Sequence, residues 1–338
     1  MQNIEELKRI LSSPKKVVII PHQKPDADAL GSCLALKGYL NKLQHEVQVI
    51  SPTDYPQFLA WMPENESVLM CESYKETICK QIILQADVIF CLDYSDLARI
   101  APLDTWVSQA SAIKVMIDHH IDRKAFAQFE LWKPEAAATA ELVYDFILLM
   151  GDEALIDIPI AECIYAGILT DTGSFKYPST SSKIHRIVAK LIDIGINHSK
   201  IHHYIYDTNS ENRLRLIGFA LKERLTILRE YRTAYFALSS ADLRNHYYQT
   251  GDTEGLVNYA LSLEGIIFAA ILIEDIDKIK LSFRSIGDFS VNDLARIHFS
   301  GGGHKNAAGG RVNNAKLEEV VQQFVSILPN YKEQLISV

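Results

Sequence analysis

Eight residues of this 338-residue chain carry side chains that could do chemistry together: His22, Asp26, Asp28, Asp93, Asp118, His119, His120 and Asp171. Imidazole nitrogens mixed with carboxylate oxygens suit a borderline-hard divalent cation, manganese ahead of magnesium or cobalt. The absence of paired cysteines argues against structural zinc or an iron–sulfur cluster. A single ion has little need of so many anionic ligands. Two ions about 3.5–4 Å apart can share a bridging carboxylate and a water, the arrangement used to hydrolyse phosphate esters. Four carboxylates brought together without cations repel one another, whereas two divalent ions offset that charge and let an anionic phosphate approach. Singly, each residue has an ordinary explanation: an Asp after a strand is usually a turn former or helix cap, and a lone His a packed or solvated side chain. Their joint occurrence points to a site.

The elements that must position them alternate between apolar, β-branched runs and helical patterns from residue 15 to 120, which is α/β wiring. KKVVII ends near Pro21, EVQVI near Ser51, DVIFCL at Asp93 and AIKVMI at Asp118. Near-continuous apolar strands of this kind suit a parallel sheet covered on both faces. His22, Asp26 and Asp28 follow the first run directly, and Asp171 ends a further apolar run with turn residues behind it. In an open parallel sheet the loops beyond the carboxyl ends of the strands converge at a topological switch point, so residues remote in sequence can meet there. ALGSCLALKGYLNKL and TAELVYDFILLMG read as helices, the second closed by Gly151. IPIAECIYAGILT is ambiguous, with Ile160, Cys163, Ile164 and Ile168 favouring a helix.

Apolar periodicity fades around GINHSKIHHYIYDTNSEN. A connection is expected at 197–212, between a domain at 1–196 and a smaller α/β domain at 213–338, with the active site in the cleft between them. The second domain reads as strand TAYFALS, helix GLVNYALSLE, strands IIFAAILIE and KIKLSFRS, helix VNDLARIHF, a Gly-rich turn GGGHKNAAGG and a closing helix KLEEVVQQFVSIL. Phe175 and Tyr177 either stack on a base or pack in the core. His185, His198, His202 and His203 read as surface or connector residues.

Bulk properties narrow the function. The net charge of −8 argues against a long electrostatic track on nucleic acid, which needs clustered Lys and Arg, so any nucleic-acid substrate is expected to be short. The hydrophobic share of 48% and charged share of 22% are those of a globular protein. No apolar run is long enough to cross a bilayer and MQNIEELKRI is amphipathic, so a cytoplasmic protein is expected. Its five scattered cysteines read as reduced, buried thiols. A homodimer is the default oligomeric expectation.

These residues resemble the DHH phosphoesterases, named for the triplet found here as Asp118-His119-His120. The family's first motif is present as His22-Gln-Lys-Pro25-Asp26-Ala-Asp28-Ala29-Leu-Gly31-Ser32, the second as Cys91-Leu-Asp93 and the fourth as Thr170-Asp171-Thr172-Gly173. Ser282-Phe-Arg284-Ser285 and Gly301-Gly302-Gly303-His304-Lys-Asn-Ala307-Ala308-Gly309 are similar to the DHH-associated C-terminal domain.

The resemblance implies that one ion is held by His22, Asp26 and Asp93 and the other by Asp28, Asp93, His119 and Asp171, with Asp93 bridging. His120 would face the scissile phosphate and Asp118 would orient the histidines. Hydrolysis would proceed by in-line attack of water activated by the two metals, with His120 as a candidate general acid. Arg284 could grip a second phosphate or carboxylate, and Gly301, Gly302, Gly303 and His304 could form an anion nest.

The stand-alone two-domain layout is most similar to the family branch that degrades very short RNA to mononucleotides and removes the 3′-phosphate of 3′-phosphoadenosine 5′-phosphate. Alternatives are a phosphodiesterase of cyclic or linear signalling dinucleotides, a pyrophosphatase or exopolyphosphatase, and a nucleotide-binding regulator without catalysis. A processive single-strand exonuclease would need extra domains and a long basic channel.

Overall fold

The β-branched runs of the first half become the strands of a parallel sheet. In a computed structural model, which describes residues 1–121 and 123–337, the chain divides into two compact units, Met1–Thr208 and Asn209–Val338. The first unit contains strands β1 (Lys16–Ile20), β2 (Glu46–Ser51), β3 (Leu69–Met70), β4 (Val88–Leu92), β5 (Ile113–Asp118) and β6 (Phe129–Trp132), in the order β3-β2-β1-β4-β5-β6. Every neighbouring pair is parallel. Its helices are α1 (Ile4–Ile10), α2 (Ala27–Lys42), α3 (Glu76–Leu84), α4 (Asp104–Gln109), α5 (Thr139–Met150), α6 (Ile158–Asp171), α7 (Ser182–Ile194) and α8 (His198–His202).

Alternate residues of each strand feed opposite faces of this sheet. Val17, Ile19 and Phe90 join the core beneath α2, α5 and α6, while Val18, Ile20, Ile89 and Cys91 join the core beneath α3 and α4. Both faces are dry, which is why the strands read as unbroken apolar runs. β1 lies between β2 and β4, so the chain reverses its direction of travel across the sheet there, and the loops after β1 and β4 diverge from that point. The ambiguous segment resolves as α6, capped by the side chain of Asp157 on the amide of Ile160. Asp171 is consequently the last residue of a helix. Residues 198–207 are helical and belong to the first unit. All five cysteines are buried and none is in a disulfide.

The second unit holds α9 (Glu211–Phe219), β7 (Leu225–Leu228), β8 (Thr233–Leu238), α10 (Ser240–Asn245), α11 (Leu256–Leu261), β9 (Phe268–Glu274), β10 (Lys278–Ser285), α12 (Val291–His298), β11 (Gly302–His304), β12 (Ala307–Asn313), α13 (Leu317–Ile327) and α14 (Lys332–Ile336). Its sheet runs β11-β12-β10-β9-β8-β7, with β8 and β9 parallel and the other pairs antiparallel. Phe268, Phe283, Phe299 and Phe324 build one core, and Phe236, Ala269 and Ile271 another.

GGGHKNAAGG is not a turn but a hairpin: Gly302, Gly303 and His304 pair with Gly309, Ala308 and Ala307, leaving Lys305 and Asn306 to turn the chain. Residues with little or no side chain carry no inside–outside alternation, so this pairing leaves no periodic signal. Among the described residues no helix is long and apolar enough to cross a membrane.

Candidate metal centre

His22 and Asp26 lie in the loop between β1 and α2, and Asp28 in the first turn of α2. Asp93 follows β4, and Asp118, His119 and His120 end and follow β5. Asp171 arrives at the same place from the last turn of α6. Ligand atoms of His22, Asp26 and Asp93 lie within 4.8 Å of one another, as do those of Asp28, His119 and Asp171. Asp93 stands between the two groups: its Oδ2 is 3.3 Å from His22 Nε2 and its Oδ1 3.5 Å from His119 Nε2. His119 Nε2 is also 3.4 Å from Asp171 Oδ2 and 3.8 Å from Asp28 Oδ2.

Local backbone geometry fixes which atoms face inward. His22 Nδ1 meets the carbonyl of Gln23 at 2.7 Å, and His119 Nδ1 meets that of Ala136 at 3.1 Å. A carbonyl accepts only, so each Nδ1 carries the proton and each Nε2 lone pair is left for a cation. Asp26 is the N-cap of α2, one oxygen accepting from the amides of Asp28 and Ala29, both at 3.0 Å. Asp93 adopts a left-handed backbone conformation, φ 65°, that turns its side chain off the strand. Asp118 Oδ1 accepts from His120 Nδ1 at 2.8 Å, and its buried Oδ2 has no hydrogen-bond partner among the described residues.

Several positioning groups escape a reading of the sequence. Trp132 donates from Nε1 to the carbonyl of His120 at 2.6 Å. The amides of Thr139 and Ala140 donate to the two oxygens of Asp28 at 2.7 and 2.8 Å, and the Thr139 hydroxyl donates to Asp93 Oδ1 at 2.8 Å. Helices α2 and α6 cross in close contact: a Cβ on Gly31 would stand 2.5 Å from the carbonyl oxygen of Cys163, and one on Gly167 would stand 2.6 Å from Asp28 Oδ1. Of these, only Gly31 stood out in the sequence.

The cluster is electrostatically tense. Burial first, and the charge of Asp93 second, push the Asp28 carboxyl up to about 8. Burial and the charges of Asp28 and Asp26 raise Asp171 well above the usual carboxylate range. Burial works in the same direction on Asp93, but hydrogen bonds from His119 and His22 outweigh it and hold that group well below its ordinary value. Burial opposes charging of His119 and His22, yet the surrounding carboxylates raise both. Protons therefore stand in for positive charge, and two divalent cations on these nitrogen and oxygen donors could replace them. In donor type and in charge the residues fit such a pair.

In the second unit Arg284 on β10, Ala307 on β12 and His304 on β11 are register partners across three neighbouring strands. Arg284 is half-buried and donates from Nη1 to the carbonyl of Phe283 at 3.0 Å. The amide of Gly301 donates to the carbonyl of Ala295 and that of Gly303 to the side chain of Asn292. Those two amides are engaged within the unit, and a Cβ on Gly301 or Gly303 would strike the carbonyl oxygen of Gly309 or Ala307.

The remaining candidates behave as ordinary side chains. Phe175 packs between Tyr165 and His185, and the Tyr177 ring covers Gly173. His198 lies against Tyr165, His202 bonds Ser174, and His203 lies beside Tyr204.

Comparison with known proteins follows this division. Residues 16–168 match the model of the DHH family, N-terminal domain, and residues 233–331 that of the DHHA1 domain. A bifunctional oligoribonuclease and PAP phosphatase NrnA of Thermus thermophilus is 27% identical over 337 residues, covering 99% of this chain and 94% of that one. The Bacillus subtilis protein of the same name is 27% identical over 312 residues, covering 91% and 92%. The crystal structure of an exopolyphosphatase-related protein from Bacteroides fragilis superposes with a TM-score of 0.92 at 38% identity, covering 98% and 97%.

Proposed function

The chain belongs to the DHH family, and from that membership we propose that it is a manganese-dependent phosphoesterase. Its substrates would be very short oligoribonucleotides, degraded to mononucleotides, and the 3′-phosphate of 3′-phosphoadenosine 5′-phosphate. The observation that carries this reading is the pair of ligand clusters that adjoin at Asp93. The two NrnA relatives, similar over nearly their full lengths, support the choice of substrate.

His22, Asp26 and Asp93 would hold one ion, and Asp28, Asp93, His119 and Asp171 the other. Bound there, two divalent cations supply Lewis acidity, neutralising phosphoryl charge and making water more acidic. Asp118, by accepting from Nδ1 of His120, holds that ring so that Nε2 of its protonated form would contact the phosphate or give its proton to the leaving oxygen. Arg284 contributes a planar fork for a further phosphate or carboxylate of the substrate, with His304 beside it in the same row, on a hairpin whose close backbone approach needs glycine at 301 and 303. The acidic chain favours short substrates, and the cytoplasm is the compartment that suits its unpaired thiols.

The deciding experiment compares kcat/KM, with manganese present, for a dinucleotide, a pentanucleotide, 3′-phosphoadenosine 5′-phosphate, a cyclic dinucleotide and pyrophosphate. Highest values for the dinucleotide and the 3′-phosphate are expected. Preference for the cyclic dinucleotide or pyrophosphate reassigns the substrate, and no turnover of any member with manganese bound favours a regulator.

A further inference from the structure

Helix α5 begins without a cap of its own. Its N-cap residue is Ala138, whose side chain cannot accept a hydrogen bond, so the amides of Thr139 and Ala140 would be orphaned at the helix start. They are satisfied from another helix, by the two carboxylate oxygens of Asp28. The hydroxyl of Thr139 reaches the other way, to Asp93 Oδ1. Thr139 is fully buried. Its main chain bonds a carboxylate of one ligand cluster and its side chain a carboxylate of the other.

We propose that Thr139 is a positioning residue for the bridging carboxylate, its hydroxyl orienting Asp93 while the adjoining amides orient Asp28. A carboxylate oxygen has two lone pairs. With one of those on Asp93 Oδ1 committed to Thr139, the carboxylate plane is fixed and the remaining lone pair is directed toward the cluster of His119, Asp28 and Asp171. Without the hydroxyl, Asp93 is free to rotate toward His22 alone, and the cation beside His119 loses most. Partners of this kind typically account for 10–100-fold in metal affinity or activity. This inference rests on the two-cation reading of the site.

The test is calorimetric titration of the whole chain, freed of metal with a chelator, with manganese chloride alone, comparing the wild type with Thr139→Val and Thr139→Ser. Valine keeps the shape and both amides but removes the hydroxyl, whereas serine keeps the hydroxyl. Weakening of one of two binding events by about 10–100-fold in Thr139→Val, with recovery to within several-fold in Thr139→Ser, supports the assignment. Two events of wild-type affinity in Thr139→Val overturn it. Equal losses in both variants also overturn it, because disturbed packing at residue 139, common to both changes, and not the hydroxyl would then account for them. A wild type that takes up fewer than two ions refutes the two-cation reading, and this inference with it.

Discussion

Asp118 accepts the Nδ1 proton of His120 at 2.8 Å, while His119, between them in sequence, takes its anchor from the carbonyl of Ala136. Two neighbouring imidazoles are thus oriented by different partners, one by an anionic side chain and one by the main chain. Their rings stand nearly perpendicular, at 81°, with centroids 5.2 Å apart.

Asp118→Asn keeps the shape but removes the anion that orients His120. A fall in kcat of about 10–100-fold is expected, with manganese affinity held within a few-fold because Asp118, although it lies within 4.8 Å of ligand atoms of Asp93 and His120, is assigned to neither ion. Steady-state kinetics alongside metal titration check this. Loss of metal binding in the variant would make Asp118 a ligand instead.

The metal-free protein should become less stable as pH rises from about 5 to about 8. Asp28 and Asp171 have folded-state values raised above the ordinary carboxylate range, and His119 and His22 are raised above the ordinary imidazole value. Across that window the folded state holds more protons than the unfolded state, so unfolding free energy falls with pH. Asp93 is shifted the opposite way, but its contribution is complete below the window. Thermal melts in chelator should show a lower Tm at about pH 8 than at about pH 5, and manganese should narrow the gap. A higher Tm at the alkaline end would contradict the protonated cluster.

Arg284→Ala should raise KM for nucleotide substrates by about 10-fold or more while kcat changes little, the loss of a charged contact outside the reacting group. Arg284→Lys should not restore KM, because an ammonium lacks the planar fork. An unchanged KM removes Arg284 from substrate recognition.

Gly167→Ala places a methyl group 2.6 Å from Asp28 Oδ1 and 2.7 Å from the Ala140 side chain. Either α6 moves away from α2 or Asp28 leaves the amides of α5. Overpacking of this kind typically destabilises by about 1–3 kcal/mol. A lowered Tm together with weaker manganese binding is expected, and wild-type values for both would mean that the helix crossing yields freely.

Legibility in the sequence followed side-chain pattern. Strands β1, β2, β4 and β5 are long apolar runs, and the strand-end residues His22, Asp93 and Asp118 could be located from where those runs stop. By contrast β3, β6 and β7 are edge or near-edge segments of two to four residues, too short for a period to show. The hairpin of β11 and β12 is written in Gly and Ala, which have no face to alternate. In the site, the ligands declare themselves by residue type. Their anchors at Gln23, Ala136 and Ala140 are main-chain groups that any residue supplies, and Thr139 resembles an ordinary helix-start threonine. The ambiguity of the segment that ends in Asp171, which forms helix α6, has the same origin, since an apolar run buried on most sides has little periodicity to distinguish helix from strand.

The double duty of Asp26, capping α2 with one oxygen while facing His22 and Asp93, has a consequence for how ions come and go. A socket wired into its housing keeps its shape when the plug is withdrawn. Because the donors are fastened to helix starts and peptide carbonyls, a departing ion takes no secondary structure with it. Exchange then becomes a matter of supply and ligand chemistry, with the helices around the site left in place.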